Sequence, residues 1–193
     1  MLTKMEKTIS NANKLKWIMK RHADTNHMYD TYLPYEFHLR MVVATAAKYL
    51  YLLPDSNNGE ESFRDGVILG AWGHDLIEDT RTSYNDVREV LGLYAAEIVY
   101  AVSNEKGKNR KERANATYYK GIRETPGATF VKLCDRIANV QYSKMTGSRM
   151  FEMYKKENSN FIQELGWFGD VTDQLYPMFC DLQELFIEPR KEK

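Results

Sequence analysis

Apolar residues recur at three- and four-residue intervals along nearly the whole chain, and the strict alternation of a half-buried strand is scarce. This periodicity predicts helices over roughly 10–22, 35–52, 60–78, 83–91, 93–103, 110–124, 127–145, 148–165 and 171–187. The punctuation agrees. Ser83 followed by Asp86 has the spacing of a helix N-cap, and Gly92 is placed to end the short helix that Ser83 starts. Pro34 opens one helix, and Pro126-Gly127 breaks the chain before another. The clearest loops, PDSNNGE (54–60) and NEKGKN (104–109), are short. No internal repeat, low-complexity tract or linker interrupts the pattern. The 193 residues are therefore expected to form one all-α domain, 1–193, of eight or nine helices.

Charge narrows the partners. Lys plus Arg is 27 and Asp plus Glu is 27, so no global field draws the protein to nucleic acid or to an anionic membrane. Cys134 and Cys180 form no CxxC pair and suit a reducing compartment. The start, MLTKMEKTISNANK, lacks the apolar run of a signal peptide, and no stretch is as long and apolar as a membrane span. The expectation is a soluble cytoplasmic protein. Trp17, Trp72 and Trp167 are expected to be core or groove residues.

Three segments carry candidate chemistry. In GAWGHDLIEDT (70–80), a continuous helix over 60–78 would put His74 and Glu78 on one face, with Asp75 and Asp79 as a second pair. Acids crowd the end of that helix, where the dipole is already negative. Such an end is either solvated or occupied by a cation. In VKLCDRIANV (131–140), apolar positions cover most of the circumference and Asp135 sits among them. A buried aspartate needs a partner, either a neighbouring Lys or Arg or a metal ion. Asn139 lies one turn further on the same face. In PYEFHLRMVVATAAKYL (34–50), His38 precedes Met41, Val42, Thr45, Ala46 and Tyr49 on a mostly apolar face, where a lone histidine would ordinarily be a satisfied core residue. Two imidazoles and two carboxylates together suit Mn²⁺, Fe²⁺, Zn²⁺ or Co²⁺.

The order His38, His74-Asp75, Asp135 resembles the H…HD…D signature of HD-domain phosphohydrolases. More narrowly, HDLIEDT is similar to the HDxxEDT motif of the RelA/SpoT hydrolase domain and of the small stand-alone hydrolases known as metazoan SpoT homologues. PYEFH resembles that family's PYxxH, and AVSNEKG resembles the segment after its fifth helix. KERANATYYKGIRETPGATFVKLCDRIANV follows its ER…PGA…VKLADxxxN stretch, with Cys134 in place of the alanine. The likeness runs in order over about 20–155.

The resemblance implies an all-α HD-domain bundle that hydrolyses a small-molecule nucleotide. Its substrate would be guanosine 3′,5′-bis(diphosphate) (ppGpp), releasing GDP and pyrophosphate, an activity of the stringent response. It implies His38, His74, Asp75 and Asp135 as ligands of a divalent ion, usually Mn²⁺, with Glu78 and Asp79 as the acidic pair beside it. It also implies nucleotide contacts from Asn139 and, near the base, Tyr154. At 193 residues, a synthetase domain and synthesis of the nucleotide are not expected. One departure bears on substrate: six and seven residues before Pro34, where the family carries an Arg-Lys pair, stand His27 and Met28. His27 or Tyr29 could stack on a base there, and Lys20, Arg21 or Lys106 could supply the missing charge. Lys106, Arg110 and Arg113 fall near the family's phosphate-side segment. The departure leaves open an HD-type phosphatase acting on NADPH or a nucleoside monophosphate. A nucleotide-binding module without turnover is a separate alternative, against which the intact ligand set and Glu78-Asp79 argue. The oligomeric state is left open by the sequence.

Overall fold

The structure, a computed structural model, describes residues 4–58, 61–103, 108–170 and 172–187. Its α-helices are α1 (Lys4–Asp24), α2 (Glu36–Tyr49), α3 (Phe63–Gly73), α4 (Leu76–Asp79), α5 (Tyr84–Leu91), α6 (Leu93–Val102), α7 (Arg110–Arg113), α8 (Ala116–Glu124), α9 (Ala128–Thr146), α10 (Met150–Glu164) and α11 (Tyr176–Glu184). Strand among the described residues is confined to a two-residue antiparallel pair, with Asn57 opposite Ser62. The all-α expectation holds.

The helix ends follow from their side chains. Ser83 Oγ accepts from the Asp86 N–H while Asp86 bonds back to the Ser83 N–H, a capping box at the start of α5. Gly92, at φ 103°, closes that helix as expected. Two predicted helices are each broken in two. The 110–124 helix stops after Arg113 because Asn115 turns extended and caps α8, its side chain accepting from the Tyr118 N–H at 3.0 Å. The 60–78 helix ends at Gly73, and Asp75 (φ −102°, ψ 5°) leaves helical geometry before the single turn of α4. Glu78 and Asp79 therefore belong to a new one-turn helix and do not close a long one. The last helix is shorter than expected, starting at Tyr176 with Pro177 in its first turn.

The long helix α9 is the axis of the packing. Helices α2, α3, α6, α8, α10 and α11 all lie against it, burying Phe130, Val131, Leu133, Cys134, Ile137, Ala138 and Val140. A second buried cluster joins Ile18 of α1 and Leu39 of α2 to Leu69, Trp72, Leu76, Val87, Leu91 and Val99. Helices α3 and α6 come close because glycine faces the contact. A Cβ on Gly66 would lie 2.5 Å from Tyr94 Cβ, and one on Gly70 would lie 2.9 Å from Ile98 Cγ2.

At the entry to α9, Gly127 adopts φ 85°, and a Cβ there would sit 2.8 Å from Val67 Cγ2 and 3.0 Å from Ile98 Cδ1. Gly127→Ala adds backbone strain and overpacking together. It is expected to lower stability by about 1–3 kcal/mol, read from urea unfolding midpoints.

Candidate metal centre and its cavity

Three elements bring their polar side chains to one buried point. His38 comes from the first turns of α2, His74 from the residue after α3, and Asp135 from the middle of α9. Both imidazoles are essentially buried. His38 Nε2 lies 3.3 Å from His74 Nε2 and 3.3 Å from Asp135 Oδ1, and His74 Nε2 lies 3.8 Å from that same oxygen. One ligand atom from each of the three falls within 4.8 Å of the others, a spacing that could hold a metal ion. Asp75 adjoins them, its Oδ2 at 2.8 Å from His74 Nε2 and 4.0 Å from His38 Nε2, and it accepts a hydrogen bond from the Tyr35 hydroxyl.

The donor set fits a divalent cation on one further observation. His74 Nδ1 lies 3.0 Å from the Ala71 carbonyl oxygen, so its proton is held there and Nε2 is the atom left to face the centre. Without an ion the carboxylates do the balancing. Burial disfavours charge on His74, but Asp75 and Asp135 outweigh it and lift the imidazole to about 9. Burial likewise opposes charge on both aspartates. His74 at Asp75, and Lys132 with the two imidazoles at Asp135, still hold these carboxyls below their ordinary range.

A cavity of about 730 Å³ opens beside this centre. His38, Asp75, Asp135 and Asn139 lie along it, with Glu78 and Asp79 of α4. Asp79 is pushed up to about 7, first by burial and then by the neighbouring Asp75 and Glu78 carboxylates. The cavity also carries the cations Lys132, Arg136, Arg113 and Lys156. Lys132 Nζ holds Asp135 Oδ2 at 3.2 Å. Arg136, only 7% exposed, lies 4.8 Å from the Tyr154 ring centroid and 4.1 Å from that of Phe161, and reaches Glu157 at 3.3 Å.

Most of the residues singled out from the sequence thus share one site, including Tyr154, which lines the cavity as a buried residue. Asn139 donates to Asp135 Oδ1 at 2.5 Å. His27 does not line the cavity. Its ring stacks on Tyr35 at 3.8 Å, next to His22, and its Nε2 faces Asp79 at 3.7 Å. Burial, opposed by Asp75, lowers His22 to about 4, so this stack is neutral at its inner end. Tyr29 stacks on His38 rather than standing free for a base. Lys20 is paired with Asp24, and Arg21 lies over Trp17, so neither supplies charge to the cavity. Lys106 lies outside the described residues, as does the side chain of Arg110. Lys132 is the neighbouring cation that the sequence offered as one partner for Asp135, three residues back on the same helix face. Arg136 was not singled out.

No protein-family model matches the chain. The guanosine-3′,5′-bis(diphosphate) 3′-pyrophosphohydrolase MESH1 of Drosophila melanogaster is 29% identical over 111 residues, 58% of this chain and 59% of its own length. MESH1 of Homo sapiens is 31% identical over 83 residues, 42% of this chain and 46% of its own length. The guanosine-3′,5′-bis(diphosphate) 3′-pyrophosphohydrolase of Aquifex aeolicus is 33% identical over 79 residues, 39% of this chain but 11% of its own length. The matched segment therefore spans at most 59% of these relatives. A solved structure of a metazoan orthologue of SpoT, described as hydrolysing ppGpp with a role in starvation responses, superposes with a TM-score of 0.68 at 20% identity. That match covers 92% of this chain and 93% of the other. The chain has the helical fold of that SpoT orthologue, and its motifs resemble those of the SpoT-type HD-domain hydrolases as the sequence indicated.

Proposed function

We propose that the protein is a metal-dependent phosphohydrolase of the SpoT type that cleaves ppGpp to GDP and pyrophosphate in the cytoplasm. Its divalent ion, Mn²⁺ in this reading, would be held by His38, His74, Asp75 and Asp135. The observation that carries the proposal is the meeting of His38, His74 and Asp135 at the edge of a cavity with acids on α4 and cations on α9. A divalent ion bound there supplies Lewis-acid chemistry, making water a nucleophile near neutral pH and offsetting phosphoryl charge. The remaining work falls to the chain. Asp79, poised near 7, can take a proton from the attacking water, and Glu78 beside it can orient that water. Lys132 and Arg136 offset the charge of a bound polyphosphate, and Tyr154 and Phe161 give apolar surface to the nucleoside. Asn139 and Tyr154 serve in this reading as nucleotide contacts. The two cysteines, neither in a disulfide, suit the cytoplasm, and no helix among the described residues is long and apolar enough to cross a membrane.

A second reading, hydrolysis of another nucleotide such as NADPH or a nucleoside monophosphate, is favoured by one observation. The loop before Pro34 presents no cation to the cavity, since His27 stacks on Tyr35 and Met28 is 46% exposed. An assay with ppGpp and Mn²⁺ and identified products decides between them. Pyrophosphate release by the wild type, lost by at least about 100-fold in Asp135→Ala, is the expected result. Inorganic phosphate released from a different nucleotide, with ppGpp untouched, would give the second reading.

Two further outcomes follow from the electrostatics. His74 carries a proton up to about 9 in the metal-free protein, and that proton must leave when a cation binds. Calorimetric titration at pH 7.5 in buffers of different ionisation enthalpy should therefore show Mn²⁺ uptake releasing about one proton. Metal-free Asp79 keeps its proton to about 7, whereas the unfolded chain loses it near 4. The native state then binds more protons across that window, and its stability falls as pH rises through it. Asp79→Asn mimics the protonated form. It should melt with the wild type near pH 4 and above it at pH 8, as read by thermal scans without metal.

A further inference from the structure

The loop between α1 and α2 is a tight reversal. Residues 28 and 34 form a β-bridge, the Tyr29 N–H donates to the Leu33 carbonyl at 2.9 Å, and the Tyr142 hydroxyl donates to Asp30 Oδ2 at 2.7 Å. The reversal aims Tyr29 inward. Its ring lies on the His38 imidazole, centroids 4.6 Å apart and planes 12° from parallel, with Tyr142 edge-on at 4.9 Å. Its hydroxyl donates to Asn139 Oδ1 at 2.9 Å, and Asn139 Nδ2 donates in turn to Asp135 Oδ1 at 2.5 Å. That oxygen is the one that faces both imidazoles. The other, Oδ2, is held by Lys132.

We infer that Tyr29 is a positioning residue of the metal centre. By donating to Asn139 Oδ1 it fixes the amide with its nitrogen toward Asp135, and through it sets the carboxylate oxygen offered to the cation. The chemistry forces the direction. A carboxylate accepts hydrogen bonds only, so the amide must turn Nδ2 toward it, and Oδ1 then points to the other side, where it accepts from the phenol. Stacking on His38 sets that ring at the same time. The chain Tyr29 to Asn139 to Asp135 thus orients two of the three converging groups from one side chain. This role rests on the metal-centre reading above but not on the identity of the nucleotide.

The test measures metal binding without substrate. Tyr29→Phe keeps the ring on His38 and removes only the donor. Its Mn²⁺ dissociation constant, by calorimetry, should rise about tenfold, in the range for partners that orient a ligand, while the metal-free melting temperature stays at the wild-type value. In an Asn139→Ala background the same change should have no further effect, because the relay is already cut. Wild-type affinity in Tyr29→Phe, or an equal tenfold loss in the Asn139→Ala background, overturns the proposal. So does a loss of affinity matched by a loss of metal-free stability, which would make Tyr29 a packing residue. A wild type that takes up no Mn²⁺ overturns the metal centre and this role together. A wild type that binds Mn²⁺ but spares ppGpp overturns only the substrate assignment.

Discussion

Holding the half-buried Asp135 carboxylate against two buried imidazoles is the constraint on which the arrangement of this protein turns. A carboxylate out of water is costly unless it is paired, and here each oxygen has its own partners. Lys132 takes Oδ2 from one turn back on α9, Asn139 takes Oδ1 from one turn ahead, and the histidines meet Oδ1 from α2 and from the end of α3. Two further elements must therefore bring their imidazoles to 3.3 and 3.8 Å from one oxygen on α9. The packing of α2 and α3 against α9 makes that approach, and the apolar surface they bury keeps the centre largely from solvent. Lys132 is the partner of fixed charge among them, and its loss would leave Oδ2 without the cation that holds it.

What could be read beforehand follows a physical divide. Helical periodicity survives in sequence because it reflects a buried stripe, so α2, α5, α6, α9 and α10 are legible nearly to their ends. Caps made by one side chain, as at Ser83, are legible too. The cap at Asn115 is of the same local kind, its side chain accepting from the Tyr118 N–H, and was there to be read. The break at Asp75 was not, because aspartate also occurs inside helices and its departure from helical geometry goes with the partners its side chain finds. At Asp75 those partners are Tyr35 and His74, the first forty residues away in sequence. The candidate ligands were found as residue types in order. Their convergence on a single oxygen could not be, since spacing along a chain does not fix distance between helices.

The same divide explains the cations. Lys132 and Arg136 look like ordinary charged positions in a helical segment, yet one serves Asp135 and the other is folded under two aromatic rings. An arginine stacked in this way keeps its charge while its planar face contributes packing. The loop before Pro34 is the reverse case. Its residues invited a reading as ligand contacts, but a row of rings, His22, His27 and Tyr35, turns them inward toward the Asp75 side of the centre. The cations that line the cavity thus stand on the helices and not on this loop.

The close approach of α3 and α6 at Gly66 and Gly70 has a consequence for how such a chain can diverge. Every other amino acid would insert atoms where the seam has no room, and each helical glycine gives up about 1 kcal/mol of intrinsic helix preference relative to alanine. The seam is therefore held by depth of contact alone. Drift is channelled away from it, to the solvent-facing side of the same helices. Lineages of this chain can change their surface and their loops widely while the helix that delivers His74 keeps its seat.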